Sequence, residues 1–217
     1  MEDKKIKTKV LRPIFDTGLD IIDLSRENIV DETIFSFGTI CDSSLENHQA
    51  DKLTFKQVIF KKVIFNEIIF RRIELINVRF ENCDLSNVDF NEALLHKVEF
   101  INCKIIGINL SEATLRDVTF EDCNGQYGFF SYSNCKQVVF LRCQLTYSDF
   151  KNSLFSKVEF QESNLLQAQL NFTNLKGIDF TSCDIEGIGV NITDVNGAIV
   201  TAMQAVALSS LLGLVVK

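Results

Sequence analysis

Cysteine thiols are the first candidates for chemistry in this sequence of 217 residues. Of seven cysteines, five are separated by multiples of twenty residues, namely Cys83, Cys103, Cys123, Cys143 and Cys183. Thiolates bind zinc, form disulfides or act as nucleophiles, but a zinc site needs four ligands that converge on one point. A constant interval predicts a linear stack instead. We therefore expect free thiols that serve as small apolar residues of the core.

The other reactive side chains form no recognisable catalytic arrangement. The two histidines, His48 and His96, belong to no Ser-His-Asp or Cys-His pattern. The sequence contains no glycine-rich phosphate loop and no metal-ligand spacing. We therefore predict a protein that is not an enzyme and that uses no metal or cofactor.

The apolar residues recur with a period of five. Nearly every fifth residue from Phe55 is large and apolar, and the residue two places earlier is often small, as Val98 is before Phe100. Helices repeat their apolar positions every 3.6 residues and strands every 2. A period of five fits neither element. Each five-residue unit is therefore expected to turn the chain by the same angle and to point one large side chain inward.

A second period of twenty residues is superimposed on the first. The tetrapeptide "KVEF" occurs at 97–100 and again at 157–160, and a phenylalanine stands at every twentieth position from Phe60 to Phe180. Four five-residue units are therefore predicted to close one square coil. Equivalent residues of successive coils would stack at the strand spacing of about 4.8 Å.

Tandem units such as "CDLSN VDFNE", "VTFED" and "SNLLQ AQLNF TNLKG" resemble the pentapeptide repeat family. This resemblance implies an all-β fold, a right-handed quadrilateral parallel β-helix. We predict one structural domain with three parts: an N-terminal cap with imperfect first coils at 1–50, the repeat β-helix at 51–200, and a C-terminal helix with a dimerisation strand at 201–217. One irregular segment, 124–135, has small residues at core positions and aromatic residues at outward positions. It is expected either to fold aromatic side chains over the thinned core or to kink the rod.

The C-terminal segment "TAMQAVALSSLLGLVVK" predicts a capping helix. Thr201 is the expected N-cap and Gly213 the expected end of the helix. The segment has more apolar residues than one cap needs, and "LGLVV" is predicted to be a strand at an exposed edge, so we expect a two-fold homodimer. The alternative, in which these residues fold back on their own coil, stays open. The predicted interface residues are Met203, Val206, Ala207, Leu208, Leu211, Leu212, Leu214 and Val216.

The net charge of −7 is distributed unevenly along the chain. The first twelve residues hold five basic and two acidic residues, and this +3 leaves −10 for the remainder. An acidic surface disfavours nucleic acid and attracts basic, DNA-binding protein surfaces. The alternative for any single residue is a charge that only solvates a β surface. The acidic residues predicted to face such a partner are Glu81, Glu99, Glu121, Asp122, Glu159, Glu162 and Asp179.

The C-terminal segment also resembles the Qnr-type quinolone resistance proteins. That resemblance implies a homodimer that mimics DNA, binds DNA gyrase or topoisomerase IV, and protects these type II topoisomerases from fluoroquinolones. Many Qnr-type proteins have loops that interrupt the coil, and no such loop occurs between 51 and 200. Two alternatives stay open: a scaffold or adaptor for another protein, and an immunity protein that guards gyrase against a natural toxin.

The sequence gives no indication of a membrane location. The start "MEDKKIKTKVLRP" is charged and lacks the apolar core of a signal peptide. No run of about 18 apolar residues is present, so no transmembrane helix is expected. We therefore expect a cytoplasmic protein.

Overall fold

The structure is a computed structural model that describes residues 8–24 and 27–214. Within these residues the chain forms a parallel β-solenoid followed by one short α-helix, and the predicted fold class is confirmed. The helix, α1, spans Ala202–Leu208 and continues into a 3₁₀ turn at Ser209–Leu212.

The main sheet contains eight parallel strands in the order β1-β2-β5-β8-β9-β10-β11-β12. Two small sheets, β3-β6 and β4-β7, lie on the other sides of the first coils. The strands are β1 Asp20–Ile21, β2 Ile34–Cys41, β3 Ser44–Glu46, β4 Gln49–Asp51, β5 Thr54–Lys61, β6 Ile64–Asn66, β7 Ile69–Arg71, β8 Glu74–Glu81, β9 Leu94–Ile101, β10 Thr114–Glu121, β11 Asn134–Leu141 and β12 Leu154–Gln161.

The strand register repeats every twenty residues. Phe80 pairs with Phe100, and Phe100 pairs with Phe120. Backbone hydrogen bonds run along the rod axis: the Phe65 amide donates to the Asp84 carbonyl at 2.8 Å, and the Leu85 amide donates to the Lys104 carbonyl at 2.7 Å. Each coil thus satisfies the backbone groups of its neighbours, as buried backbone requires.

The corners between the four sides have left-handed backbone conformations. Within β10 the chain turns at Asp117 (φ 57°), and Asp122 (φ 54°) forms the next corner. The same conformation recurs at five-residue intervals along the coils, mostly at residues other than glycine. Left-handed helical backbone costs an L-residue roughly 1–2 kcal/mol. The coil-to-coil hydrogen bonds, such as that from the Asp122 amide to the Leu141 carbonyl at 3.0 Å, hold the corners in place.

Stacked phenylalanine rings fill the centre of the rod. Phe80, Phe100, Phe120 and Phe140 are buried, their ring centroids are 4.7–4.8 Å apart, and their planes differ by 4–6°. Phe130 meets the Phe120 ring edge-on at 6.1 Å. The inward direction predicted for every fifth residue is therefore observed in these coils.

Five of the seven cysteines form a ladder next to the phenylalanines, namely Cys83, Cys103, Cys123, Cys143 and Cys183. All seven are free thiols, and six are buried, while Cys41 is half-exposed. The Sγ of Cys103 donates to the carbonyls of Phe80 (3.5 Å) and Ile101 (3.3 Å), and Cys123 repeats this pattern one coil later. The thiols thus bond to backbone oxygens within the wall of the rod.

The irregular segment 124–135 continues the coil without a kink. The Gly125 amide donates to the Gln144 carbonyl at 2.7 Å, the same bond that the regular coils make. The side chains of Leu145 and Ile105 lie 3.1 and 3.3 Å from the place that a Gly125 side chain would occupy. Neighbouring coils therefore fill the thinned core, and the aromatic side chains stay outside.

The regular coils begin at Ile34, inside the segment predicted to be a cap with imperfect first coils. Phe35 and Ile40 are buried and pair in register with the following coil. Residues 8–16 are not part of a coil. They run in an extended conformation along the outside of the rod, and we call them the strap.

Removing a stacked ring should destabilise the protein strongly. We expect Phe120→Ala to lower the free energy of unfolding by about 3–5 kcal/mol, because the cavity between two flanking rings cannot collapse. Phe172→Ala is the matched control, since Phe172 is exposed and should contribute less than about 0.5 kcal/mol. Urea unfolding measures both variants. If both variants lost the same free energy of unfolding, the inward orientation of every fifth residue would be contradicted.

The thiols should differ sharply in reactivity. Burial raises the pKa of the Cys135 thiol to about 12, so its reactive thiolate is scarce at neutral pH. With Ellman's reagent under native conditions we expect one fast thiol, Cys41, and six that react only on unfolding. Cys41→Ser should abolish the fast phase. Fast reaction of several thiols in that variant would show that the ladder is accessible.

Candidate interaction surfaces

The candidate functional regions among the described residues are surfaces of the rod. Among these residues, no cluster of three or more His, Cys, Asp or Glu side chains is placed to hold a metal ion. Within residues 8–24 and 27–214, no helix is both long enough and apolar enough to span a membrane. Three surfaces stand out: the predicted acidic surface, the C-terminal end and a group of exposed aromatic side chains.

The predicted acidic surface lies on one side of the rod and its adjoining corner. The strand register places Glu81 and Glu121 in one column two coils apart, and Glu99 in a neighbouring column. Glu159 and Asp179 follow in the column of Glu99, while Asp122 and Glu162 occupy the corner. The structure thus brings the seven residues to one region.

Arginine and lysine side chains pair with at least four of these seven acids, namely Glu81, Glu99, Glu121 and Asp122. Arg142 forms a bidentate pair with Asp122 (2.7 and 2.8 Å) and also donates to Glu121 at 2.7 Å. This hydrogen bonding lowers the pKa of Asp122 and raises the pKa of Arg142. Glu81 contacts Lys61 and Arg79, each at 3.4 Å. The paired acids contribute less negative potential than their number suggests.

Glu99 is not available to an external partner in this structure, contrary to the outward orientation expected from the sequence. It is only 5% exposed, accepts a hydrogen bond from Arg79 Nε at 2.7 Å, and lies 3.7 Å from Arg12 of the strap. A buried carboxylate needs such partners because it has lost its water. The strap covers this part of the acidic surface.

The three remaining acids differ in their surroundings. Glu159 accepts hydrogen bonds from the Thr8 amide and from Gln161 Nε2 (2.9 Å). Asp179 accepts bonds from the amide and hydroxyl of Thr181, at 3.0 and 2.6 Å. Glu162 is exposed at the corner. Glu162 is therefore the predicted acid most accessible to a partner.

The C-terminal helix caps the last coil, as predicted. Thr201 and Gln204 form a capping box, and Gly213 ends the 3₁₀ turn with φ 73°. Gln204 Nε2 also donates to the carbonyls of Phe180 and Cys183, both at 2.9 Å. It thereby satisfies two backbone oxygens at the open edge, a role that the sequence analysis did not identify.

The predicted dimer residues divide into two groups. Leu208 and Leu211 pack against the core of their own chain, as the fold-back alternative requires. The others that the structure describes are exposed, with Met203 79% and Leu214 57% exposed. This second group is Met203, Val206, Ala207, Leu212 and Leu214. The predicted strand "LGLVV" is not observed at 212–214, because Leu212 ends the 3₁₀ turn and Gly213 adopts a left-handed conformation. Its last two residues, Val215 and Val216, lie outside the described residues.

An apolar groove of about 340 Å³ opens between the helix and the last coil. Its walls include Ile192, Val195 and Ala198 from the coil and Leu208 and Leu212 from the helical segment. Leu212 both lines the groove and is exposed, so the groove adds to the apolar surface at this end of the rod.

The exposed aromatic residues of the irregular segment lie on a different side. The Tyr127 ring stacks on Tyr147 of the next coil, with centroids 5.2 Å apart and planes 4° apart. Phe129 and Tyr132 are also exposed. Together these four residues form an aromatic patch on the outside of the rod.

Comparisons with known proteins identify the repeat and no individual relative. The model of the pentapeptide repeat region matches residues 53–124, 73–150 and 93–170. Among curated proteins, no significant match was found.

Three solved structures show what the chain is similar to. HetL, a pentapeptide repeat protein involved in heterocyst differentiation regulation in the cyanobacterium Nostoc, is 14% identical over 78% of this chain and 85% of HetL, with a TM-score of 0.38. Full-length QnrB1, a plasmid-mediated fluoroquinolone resistance protein, is 18% identical over 82% of this chain and 100% of QnrB1 (TM-score 0.32). A pentapeptide repeat protein of the Arabidopsis thaliana thylakoid lumen is 19% identical over 61% of this chain and 72% of its own (TM-score 0.35).

These likenesses are too distant to indicate a function. The family model, by contrast, covers more than half of the chain and matches the coils that the structure contains. The five-residue units, the twenty-residue register and the stacked core agree with it. This chain belongs to the pentapeptide repeat family.

Proposed function

We propose that this protein is a non-catalytic binding protein whose target is a type II topoisomerase, DNA gyrase or topoisomerase IV, and that binding protects the enzyme from fluoroquinolones. The observation that carries the proposal is the shape of the rod. Each of its seven stacked long strands, from β2 to β12, occupies about 4.8 Å of the rod axis, so the stack is about 34 Å long including the thickness of both end strands. This is close to one turn of B-DNA, about 34–36 Å.

The charge of the rod limits how it can imitate DNA. A duplex carries about one charge per 1.7 Å, or about 20 over the same length. The whole chain has a net charge of −7, and at least four of the seven predicted acids have basic partners among the described residues. The proposed contact therefore depends on the shape of the rod and on a few accessible carboxylates, with Glu162 foremost.

The apolar C-terminal end supports a homodimer in this proposal. Leu212 is exposed at the groove, Met203 and Leu214 are exposed elsewhere on the C-terminal segment, and covering such apolar surface by a second copy would be favourable. A two-fold axis at this end would place two rods end to end. The dimer would then reach about 70 Å, or about two turns of DNA.

The aromatic patch favours a second candidate function, an adaptor for another protein. Exposed tyrosines and phenylalanines are typical of the centres of protein interfaces. Tyr127, Phe129, Tyr132 and Tyr147 lie away from both the acidic surface and the C-terminal end. An immunity protein against a gyrase toxin would use the same enzyme contact as our first proposal, and differs only in the challenge that it counters.

The C-terminal end should mediate dimerisation. We expect sedimentation analysis to show a dimer for the intact protein and a folded monomer for Leu212→Asp or Leu214→Asp, because a buried aspartate at the interface would lack a partner. Leu154→Asp is the matched control, since Leu154 is 67% exposed on the side of the rod. If the parent protein were a monomer, or if Leu154→Asp also produced a monomer, the C-terminal end would not be the dimer interface.

The topoisomerase contact can be tested with purified enzyme. In a gyrase supercoiling assay with a fluoroquinolone, we expect the protein at micromolar concentration to restore supercoiling and to reduce drug-induced DNA cleavage. Glu162→Lys should weaken this effect, because it reverses an accessible charge. Arg142→Gln should strengthen it, because Glu121 and Asp122 lose their counter-charge. Higher salt should weaken the contact by screening.

The control for these variants is Glu67→Lys. Glu67 and Glu162 are both exposed corner glutamates with φ 52° and 48°, on different corners of the rod. If Glu67→Lys weakened protection as much as Glu162→Lys, the effect would reflect net charge alone. If the parent protein changed neither supercoiling nor cleavage, with gyrase or topoisomerase IV, the topoisomerase proposal would fail and the adaptor function would be preferred.

A further inference from the structure

The strap, residues 8–16, lies along one corner of the rod and contacts side chains from six coils. These side chains form what we call the corner groove. It consists of Gln57, Asn77, Glu99, Asp117, Gln137 and Glu159.

The corner groove recognises mainly the backbone of the strap. The amides of Leu11, Ile14 and Asp16 donate to Asp117 (3.0 Å), Asn77 (3.2 Å) and Gln57 (3.0 Å). A fourth amide, that of Thr8, donates to Glu159. In the reverse direction, Gln137 Nε2 donates to the Lys9 carbonyl at 2.8 Å. Backbone contacts of this kind accept many sequences, as peptide grooves do.

The spacing of the groove matches an extended polypeptide. Thr8 and Asp16 are eight residues apart, which is about 26 Å of extended chain. Their partners Glu159 and Gln57 lie about five coils apart, which is about 24 Å at the strand spacing. An extended segment of this length can therefore reach from Glu159 to Gln57 without bending.

The groove also favours positive charge. Asp117 and Glu99 are only 2% and 5% exposed, and Arg12 of the strap lies 3.7 Å from Glu99. Arg79 pairs with Glu99 and lies 5.3 Å from the centre of the Phe15 ring. Arg116 lies 3.8 Å from Asp117, and lysines stand on this corner at positions 97 and 157; these cations limit the negative potential between the acids. An occupant that brings amide donors and a cation satisfies the buried carboxylates.

The strap is weakly anchored compared with the coils. Of its apolar side chains, Leu11 and Ile14 are 43% and 63% exposed, Val10 and Phe15 are half-buried, and only Pro13 is buried. Segments with few buried apolar contacts open locally at low cost. The strap can therefore leave the groove while the rod remains folded.

We propose that the corner groove is a binding site for an extended, lysine- and arginine-bearing segment of a partner protein, and that the strap is its resident intramolecular competitor. The proposal does not rest on the topoisomerase assignment. The strap occupies the groove at the high effective concentration of a tethered ligand. A partner segment binds when it displaces the strap, and the covered carboxylates Glu99 and Asp117 are then available to it.

The test makes the link between the strap and the coils cleavable in the full-length chain. A recognition sequence for a site-specific protease is inserted between Thr17 and Gly18, which are exposed, and the folded protein is cut. The probe is a fluorescent synthetic peptide of residues 4–16. We expect the peptide to bind the cut protein, after removal of the released segment, at least about tenfold more tightly than the uncut protein. Equal affinity, or no binding to the cut protein, would overturn the proposal.

Chemical changes in the probe test how it is recognised. N-methylation of Leu11 and Ile14 removes two amide donors without changing the charge, and should weaken binding at least about tenfold. N-methylation of Val10 is the control, because its amide makes no hydrogen bond among the residues that the structure describes. Equal effects of the two changes would mean that the groove attracts charge but does not bind the backbone, and would overturn the proposal.

A matched pair of asparagines tests the groove itself. Asn77 and Asn82 are corner residues of the same coil with φ 52° and 56°, and only Asn77 contacts the strap. Asn77→Ala should weaken peptide binding, and Asn82→Ala should leave it unchanged although it carries the same backbone strain. If the uncut protein formed a dimer that cleavage abolished, the occupant would be the strap of a second copy, and the proposal of a foreign segment would be wrong.

Discussion

The hydrogen bonds that join each coil to the next are the constraint on which the rest of this structure depends. They require the same backbone conformation at positions twenty residues apart, because each amide must meet a carbonyl of the neighbouring coil. The left-handed corners and the stacked rings follow from this constraint. A corner such as Asp122 would be unfavourable in isolation, and the ring of Phe120 would be half exposed without the coils on either side. The stability of the rod therefore belongs to the stack and not to any one coil.

Much of the rod could be predicted because its core follows a simple period. The inward direction of Phe100, the helix cap at Thr201 and the end at Gly213 were visible in residue type and spacing. The left-handed corners were not, because residues such as Gln137 and Tyr127 normally avoid that conformation and adopt it here only under the restraint of the stack. The strap was also missed, since Thr8 and Glu159 are 151 residues apart and share no repeat.

The pairing of the acidic surface could have been found from the sequence by one further step. Residues twenty apart are neighbours in adjacent coils, so opposite charges at that interval are expected to pair. Arg142 follows Asp122 by twenty residues, and Glu99 follows Arg79 by the same interval. The sequence analysis counted the acidic residues along one side but did not check whether a basic residue stands twenty positions before or after each of them. Such a count overestimates the negative charge that a partner meets. The burial of Glu99 could not be obtained this way, because it depends on the strap.

The strap has a consequence for the order of events during synthesis. Residues 8–16 leave the ribosome before the coils do, yet their groove is complete only when Glu159 has been made and the coils before it have stacked. At about 5–20 residues per second, this delay lasts about 8–30 seconds. During that time the basic segment is a free tail beside a growing acidic rod. Docking of the strap thus requires that all coils from Gln57 to Glu159 have folded. In a nascent chain with a misfolded coil between these residues, the strap would remain undocked.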